Sequence, residues 1–194
     1  MTDLREKNRH LSPLFEKIDA LLVKKPLVVA IDGGSASGKT TVASLLSQIY
    51  GATVFHMDDF FLTPHMRTEA RLLEVGGNVD RERFEKEVLI PLSKGQSVSY
   101  RPYDCKTGSF KEAALVIPKE LVIVEGAYSM HTSLSKYYDL SVFLDIGESE
   151  QRERILKRNA PDHAKRFFKE WIPLENIYFE KTDIKKRCDL TIKI

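Results

Sequence analysis

The chain has 194 residues, 42% hydrophobic and 30% charged, with a formal net charge of +2. That composition suits a globular domain with its own core, and the near-balanced charge offers no broad basic face for nucleic acid. No apolar run approaches the ~20 residues a membrane-spanning helix needs, and the charged opening "MTDLREKNRH" has no apolar leader core. A single cytoplasmic domain over 1–194 is predicted, binding neither nucleic acid nor membrane. Cys105 and Cys188 lie far apart without metal-ligand spacing and read as reduced thiols.

In chain order, "SPLFEKIDALLVKK" predicts an amphipathic helix, with Ser12 as cap, Pro13 at its first position and Pro26 past its end. Residues 1–25 are thus read as an N-terminal helical extension. "LVVAI" (27–31) is an apolar run of strand length, and "TVASLLSQI" after the glycines reads as a helix. A short strand "ATVFHM" follows, then a helix "DRERFEKEVLIPL". "SVSYRPY" alternates like a strand, and "ALVIP", "LVIVE" and "LSVFLDI" are further β-type runs. A charged helix from about Glu148, a second helical stretch around Trp171 and a last strand "DLTIKI" complete the chain. Several of these strands are apolar on both faces. With helices between strands, that predicts an α/β fold in which helices cover both sides of a parallel sheet. Ligands in such folds sit at the carboxyl ends of the strands.

The first such end carries Gly33, Gly34, Ser35, Ala36, Ser37, Gly38, Lys39, Thr40 and Thr41, matching G-x-x-x-x-G-K-[ST] between a strand and a helix. Glycines let the backbone turn its N–H groups towards phosphate oxygens, and the helix begins with its positive end facing the same anion. Lys39 can reach the β- and γ-phosphates, and the Thr40 hydroxyl can ligate Mg²⁺. The loop therefore predicts a nucleoside triphosphate, ATP or GTP, with magnesium. It lacks G-x-G-x-x-G, so a dinucleotide site is not supported.

"HMDDFF" places Asp58 and Asp59 at the second strand's end. Phosphoryl transfer to a hydroxyl needs a carboxylate that accepts the proton and helps hold the metal, and Asp58 is the candidate. Phe60 and Phe61 fit a ligand wall or the core. Glu125 closes an apolar strand, the position of a magnesium-binding acid or of a solvated terminal glutamate. Asp80 could cap its helix or bind sugar hydroxyls. Tyr103 and Asp104 could face a ligand or form a plain turn. Residues 151–170 hold seven basic and three acidic side chains. They read as a solvated helix or as a lid over the triphosphate, spanning about 148–172 and bending at "NAPDH".

Taken in order, "GGSASGKT", "DDFF", "VIVEG" and the arginine-rich segment resemble the uridine kinase family and its phosphoribulokinase and nicotinamide riboside kinase relatives. The resemblance runs from about Leu27 to the C-terminus. It implies a three-layer α/β/α P-loop kinase fold with a five-stranded parallel sheet and a helical lid. It also implies ATP-dependent phosphorylation of a nucleoside-like acceptor. Site roles carried over by the resemblance are Asp58 as base, Glu125 in the magnesium shell and Asp80 on the ribose hydroxyls. Tyr103 would lie by the base, and Arg154, Arg158 and Arg166 on the lid. Two features depart from the family pattern: Gly108 stands where uridine kinases carry a histidine that reads the pyrimidine, and the N-terminal helix is an addition. "DDFF" and "WIP" (171–173) look more like the nicotinamide riboside kinase branch. A nucleotide switch would want D-x-x-G and N-K-x-D, and neither string occurs. A homo-oligomer is left open.

Overall fold

The computed structural model describes residues 2–23 and 26–194. Helices α1 (Thr2–Lys7) and α2 (Ser12–Leu21) precede β1 (Leu27–Gly33), α3 (Lys39–Tyr50) and β2 (Thr53–His56). Lys24 and Lys25, where the predicted N-terminal extension ends, lie outside the described residues. Ser12 is the first helical residue rather than its cap. A 3₁₀ turn at Arg9–Leu11 delivers the chain into α2, and no side chain caps it.

After β2 come a 3₁₀ turn at Met57–Phe60, another at Pro64–Met66, and α4 (Glu69–Leu73). One continuous helical rod then joins α5 (Arg81–Phe84), a π turn (Glu85–Leu89) and α6 (Ile90–Ser93). Four short strands follow: β3 (Val98–Tyr100), β4 (Tyr103–Asp104), β5 (Ser109–Phe110) and β6 (Ala114–Val116). Next are β7 (Leu121–Glu125), β8 (Leu140–Asp145), α7 (Glu148–Arg158) and α8 (Pro161–Arg166). A second π turn (Phe167–Trp171), α9 (Ile172–Thr182), α10 (Ile184–Arg187) and β9 (Leu190–Lys193) end the order. Each π turn stands two residues before a proline, Pro91 and Pro173. A proline inside a helix has no N–H to donate and its ring crowds the carbonyl four residues back. The wider turn relieves both problems without breaking the rod.

The main sheet has five strands in the order β2-β7-β1-β8-β9, all parallel. The run "SVSYRPY" splits at Arg101–Pro102, and its halves join two separate antiparallel pairs, β3–β6 and β4–β5. Strand alternation explains why the central runs are apolar throughout. Val29, Ile31, Leu121, Ile123, Leu140, Val142 and Leu144 face a core shared with α2 and α3. Ala30, Val122, Val124 and Phe143 face the opposite core, shared with the α5–α6 rod, Tyr178 and Ile184. Leu14 and Ile18 of α2 are fully buried in the first core, so the added N-terminal helix packs on this chain's own sheet. Arg5 ties α1 down through a two-point bond to Asp19 (2.7 and 2.9 Å) and a third to the Tyr50 hydroxyl (2.9 Å).

Strand register fixes the functional edge. Ile31 and His56 both pair with Glu125, so β1, β2 and β7 end at one level. The glycine loop, Glu125 and the "DDFF" turn all leave the sheet there.

Candidate active site

The loop between β1 and α3 begins at Gly33, whose φ is +147°. A Cβ there would lie 2.5 Å from the Leu144 carbonyl oxygen, so only glycine lets β8 approach this closely. Asp32 is fully buried beside it. Its carboxylate accepts the N–H groups of Gly33 (2.7 Å) and Met130 (2.9 Å) and the Tyr178 hydroxyl (2.8 Å). Burial raises its pKa, and those three donors oppose the rise.

The loop carbonyls are held by side chains. Lys39 Nζ donates to the oxygens of Gly33 (3.0 Å) and Gly34 (2.9 Å). Gln151 donates to the Ser35 oxygen (2.8 Å) and Arg154 to that of Ala36 (3.2 Å). Within the loop the Ser37 N–H also donates to the Gly34 oxygen (3.1 Å).

Across the edge, the Thr40 hydroxyl donates to Glu125 Oε1 at 3.0 Å, and His56 Nδ1 lies 2.6 Å from the same oxygen. Glu125 is buried. The bond to Glu125 raises the His56 pKa, with burial opposing it. The glycine after Glu125 has a structural reason: Gly126 has φ +141°, and a Cβ on it would meet Met57 Cβ at 2.6 Å. That close approach brings the turn carrying Asp58 against the end of β7.

The two aspartates of that turn differ. Asp59 accepts the Tyr100 hydroxyl (3.1 Å), and its backbone oxygen accepts Arg83 (2.9 Å). Asp58 has no hydrogen bond to a described residue; its surface is open to the cleft, while protein atoms crowd around it. That crowding raises its pKa. Lys39 and His56 pull it down, and Glu125 and Asp59 push it up. Water reaching the open face moderates the burial effect.

Asp80 is buried and caps α5, accepting the Arg83 N–H at 3.1 Å. Arg83 is a hub. Its guanidinium lies 4.2 Å from the Phe60 ring centroid and 5.1 Å from that of Phe110, and donates to the Arg101 oxygen (2.9 Å). Phe60 belongs to the core and not to the cleft wall: it is fully buried, stacked on Tyr100 (5.3 Å) and edge-on to Phe84 (4.9 Å). Phe61 is half-buried and bridges to Val79. Tyr103 is largely buried, packed edge-on to Phe110 across the β4–β5 hairpin. The exposed Cys105 of this hairpin feels the charges of Asp58, Arg67 and Arg166.

Of the three arginines expected on the lid, Arg154 touches the loop. Arg158 lies over Phe167 (5.5 Å), and Arg166 over Trp171 (4.9 Å) with a bond to Glu170 (3.2 Å). This segment has a small core of its own, in which Ile155, Ala164 and Phe167 pack with Ala36 of the loop. Sequence reading missed His56, Arg83, Gln151 and Glu175. His56 alone had a local signal, as the last residue of a strand ending beside Glu125.

Sheet order, glycine loop and flanking helices together make this a P-loop kinase fold. The sequence profile described as the Phosphoribulokinase / Uridine kinase family matches residues 28–167, so the chain belongs to that family. A uridine kinase of Macrococcus caseolyticus is 28% identical over 191 residues, covering 88% of this chain and 89% of that one. Uridine kinase-like protein 4 of Arabidopsis thaliana is 29% identical over 152 residues, 73% of this chain and 32% of its own length. The chain thus spans about a third of the Arabidopsis relatives it matches. A solved structure described as a possible uridine kinase from Bacillus stearothermophilus superposes with a TM-score of 0.73 at 24% identity, covering 96% of this chain and 99% of that one. Among the described residues no helix is long and apolar enough to cross a membrane.

Proposed function

We propose that the chain transfers the γ-phosphoryl group of ATP to a primary hydroxyl, in the first place the 5′-OH of a nucleoside. One observation carries this reading. A phosphate-type loop, a hydroxyl–carboxylate pair (Thr40 and Glu125) and an uncommitted carboxylate (Asp58) converge at one edge of the sheet. The N–H groups of the loop and Lys39 would hold the β- and γ-phosphates. Thr40 and Glu125, with Asp58 beside them, offer hard oxygens that suit Mg²⁺. Among the described residues no three His, Cys, Asp or Glu side chains form a metal cage, and magnesium is usually held by one or two carboxylates plus substrate phosphates. When bound, Mg²⁺ would neutralise charge on the phosphate oxygens.

Asp58 accepts the proton of the acceptor hydroxyl as that oxygen bonds to the γ-phosphorus. The bond from phosphorus to the β–γ bridging oxygen breaks, and ADP leaves. The rest of catalysis is positioning and charge stabilisation. Segment 148–172 would serve as the lid, with Arg154 already at the loop, and its closure would exclude water. Asp80, Phe61 and Tyr103 would line the acceptor side, with Asp59 held in place by Tyr100. The domain would act as one unit over 1–194.

A second acceptor class is favoured by Gly108. This hairpin glycine leaves no side chain to read a pyrimidine, and a Cβ added there would meet nothing nearer than the Tyr103 hydroxyl at 3.9 Å. Nicotinamide riboside, sugars and vitamin precursors therefore belong in the test. Purified protein with Mg²⁺ and ATP or GTP is offered uridine, cytidine, nicotinamide riboside, other nucleosides, pantothenate and simple sugars. Acceptor-dependent ADP formation is expected. Equal ATP turnover with and without acceptors would instead mark an ATPase.

A further inference from the structure

Glu175 lies on α9, 140 residues from the glycine loop in sequence, yet it is buried against that loop. Its Oε2 accepts the backbone N–H of Ser35 at 2.8 Å, and its Oε1 accepts the Ser35 hydroxyl at 2.6 Å. Gln151, buried on α7, takes the Ser35 carbonyl and fills the space above Gly34, where a Cβ would meet Gln151 Nε2 at 2.8 Å. All three polar groups of Ser35 are therefore held by side chains of α7 and α9. Arg154, one turn beyond Gln151, holds the next carbonyl, that of Ala36.

The arrangement has a directional consequence. With the oxygens of Gly33, Gly34, Ser35 and Ala36 tied to side chains, the peptide planes of the loop are fixed before any anion arrives. Ser35 directs its N–H at Glu175 instead, which withdraws it from the donors open to an anion. A buried carboxylate is costly unless hydrogen-bonded, and Ser35 supplies both bonds. Lys39 is the cation that acts on it through space.

We propose that Glu175 is a positioning residue for the phosphate loop: it clamps Ser35 and, with Gln151, sets the loop for the triphosphate while linking it to the α7–α9 segment. This deepens the kinase reading above and rests on it.

The test compares wild type with Glu175→Ala, Glu175→Gln, Ser35→Ala and the double variant Ser35→Ala/Glu175→Ala. Readouts are Mg·ATP affinity by calorimetry, kcat, thermal unfolding, and hydrogen exchange of residues 33–40. A bond to a charged group corresponds to roughly tenfold or more, so Glu175→Ala is expected to weaken ATP binding or lower kcat about that far, with faster exchange in the loop. Glu175→Gln should recover most of the loss, since its carboxamide oxygen accepts the Ser35 N–H and its NH₂ donates to the hydroxyl. The two alanine changes should combine less than additively. A Glu175→Ala protein with wild-type affinity, kcat and exchange overturns the proposal. So does a Glu175→Gln protein no better than the alanine variant. If Glu175→Ala does not fold, Glu175→Gln against Ser35→Ala decides. Wild type that binds no ATP would sink the kinase reading alone, since loop exchange reports the clamp without nucleotide.

Discussion

Replacing Asp58 by Asn separates chemistry from architecture. Asp58 accepts no hydrogen bond from a described residue and opens to the cleft, so the amide leaves no donor orphaned. Surface changes of that kind usually alter stability by less than about 0.5 kcal/mol. Burial disfavours the Asp58 charge and Glu125 and Asp59 repel it, while Lys39 and His56 attract it, so removing the charge should cost the fold little. ATP binding should persist, because a negative charge near the triphosphate has been removed. The rate should not persist: a positioned base contributes about 10²–10⁴-fold, or roughly 2.7–5.4 kcal/mol of barrier. Asp59→Asn is the control. Its side chain can still accept the Tyr100 hydroxyl, so it should lose far less. Single-turnover transfer to the best acceptor, with calorimetric ATP affinity and a urea midpoint, reads all three quantities. Asp58→Asn within tenfold of wild type, at any Asp59→Asn value, refutes the argument.

Two further outcomes follow from the structure. Arg5 holds the Asp19 carboxyl below its ordinary range, so the pair contributes stability above the unfolded carboxylate pKa of ~3.9 and loses it as pH falls through the depressed folded value. The urea-midpoint gap between wild type and Asp19→Asn should therefore be small at pH 7, as for an exposed pair, and shrink as the carboxylate is protonated in acid; a gap that widens in acid would contradict this. Burial pushes the Cys188 thiol up to about 12; it raises that of Cys105 too, but Cys105 is exposed and Arg67 and Arg166 oppose the rise. Iodoacetamide at pH 8 should thus modify Cys105 first, and more slowly with acceptor bound; faster labelling of Cys188 would contradict the packing.

The sheet was legible because its strands are buried on both faces. "LVVAI", "LVIVE" and "LSVFLDI" carry no polar alternation, and each became a central strand. The loop was legible because its chemistry is contiguous. Asp80 as a cap was visible from its place before a helical run. The brace was not. Ser35 meets Gln151 and Glu175 across 116 and 140 residues, and no local pattern announces a polar side chain whose partner lies that far away. Phe60 shows the same limit from the other side. Its neighbour Asp59 belongs to the cleft edge, but the 3₁₀ turn at Met57–Phe60 rotates the ring into the core beneath Arg83. The π turns were hidden too, because helical periodicity runs smoothly through "EVLIPL" and the mismatch is absorbed before each proline.

The central claim is that phosphate moves from ATP to a primary hydroxyl and not to water. Phosphorus-31 NMR of a reaction with Mg·ATP and the preferred acceptor tests it most directly. A new phosphomonoester resonance split by the two protons of an adjacent CH₂ group is expected, growing as the γ-phosphate signal disappears. Growth of inorganic phosphate alone, at the same rate with and without acceptor, would contradict it.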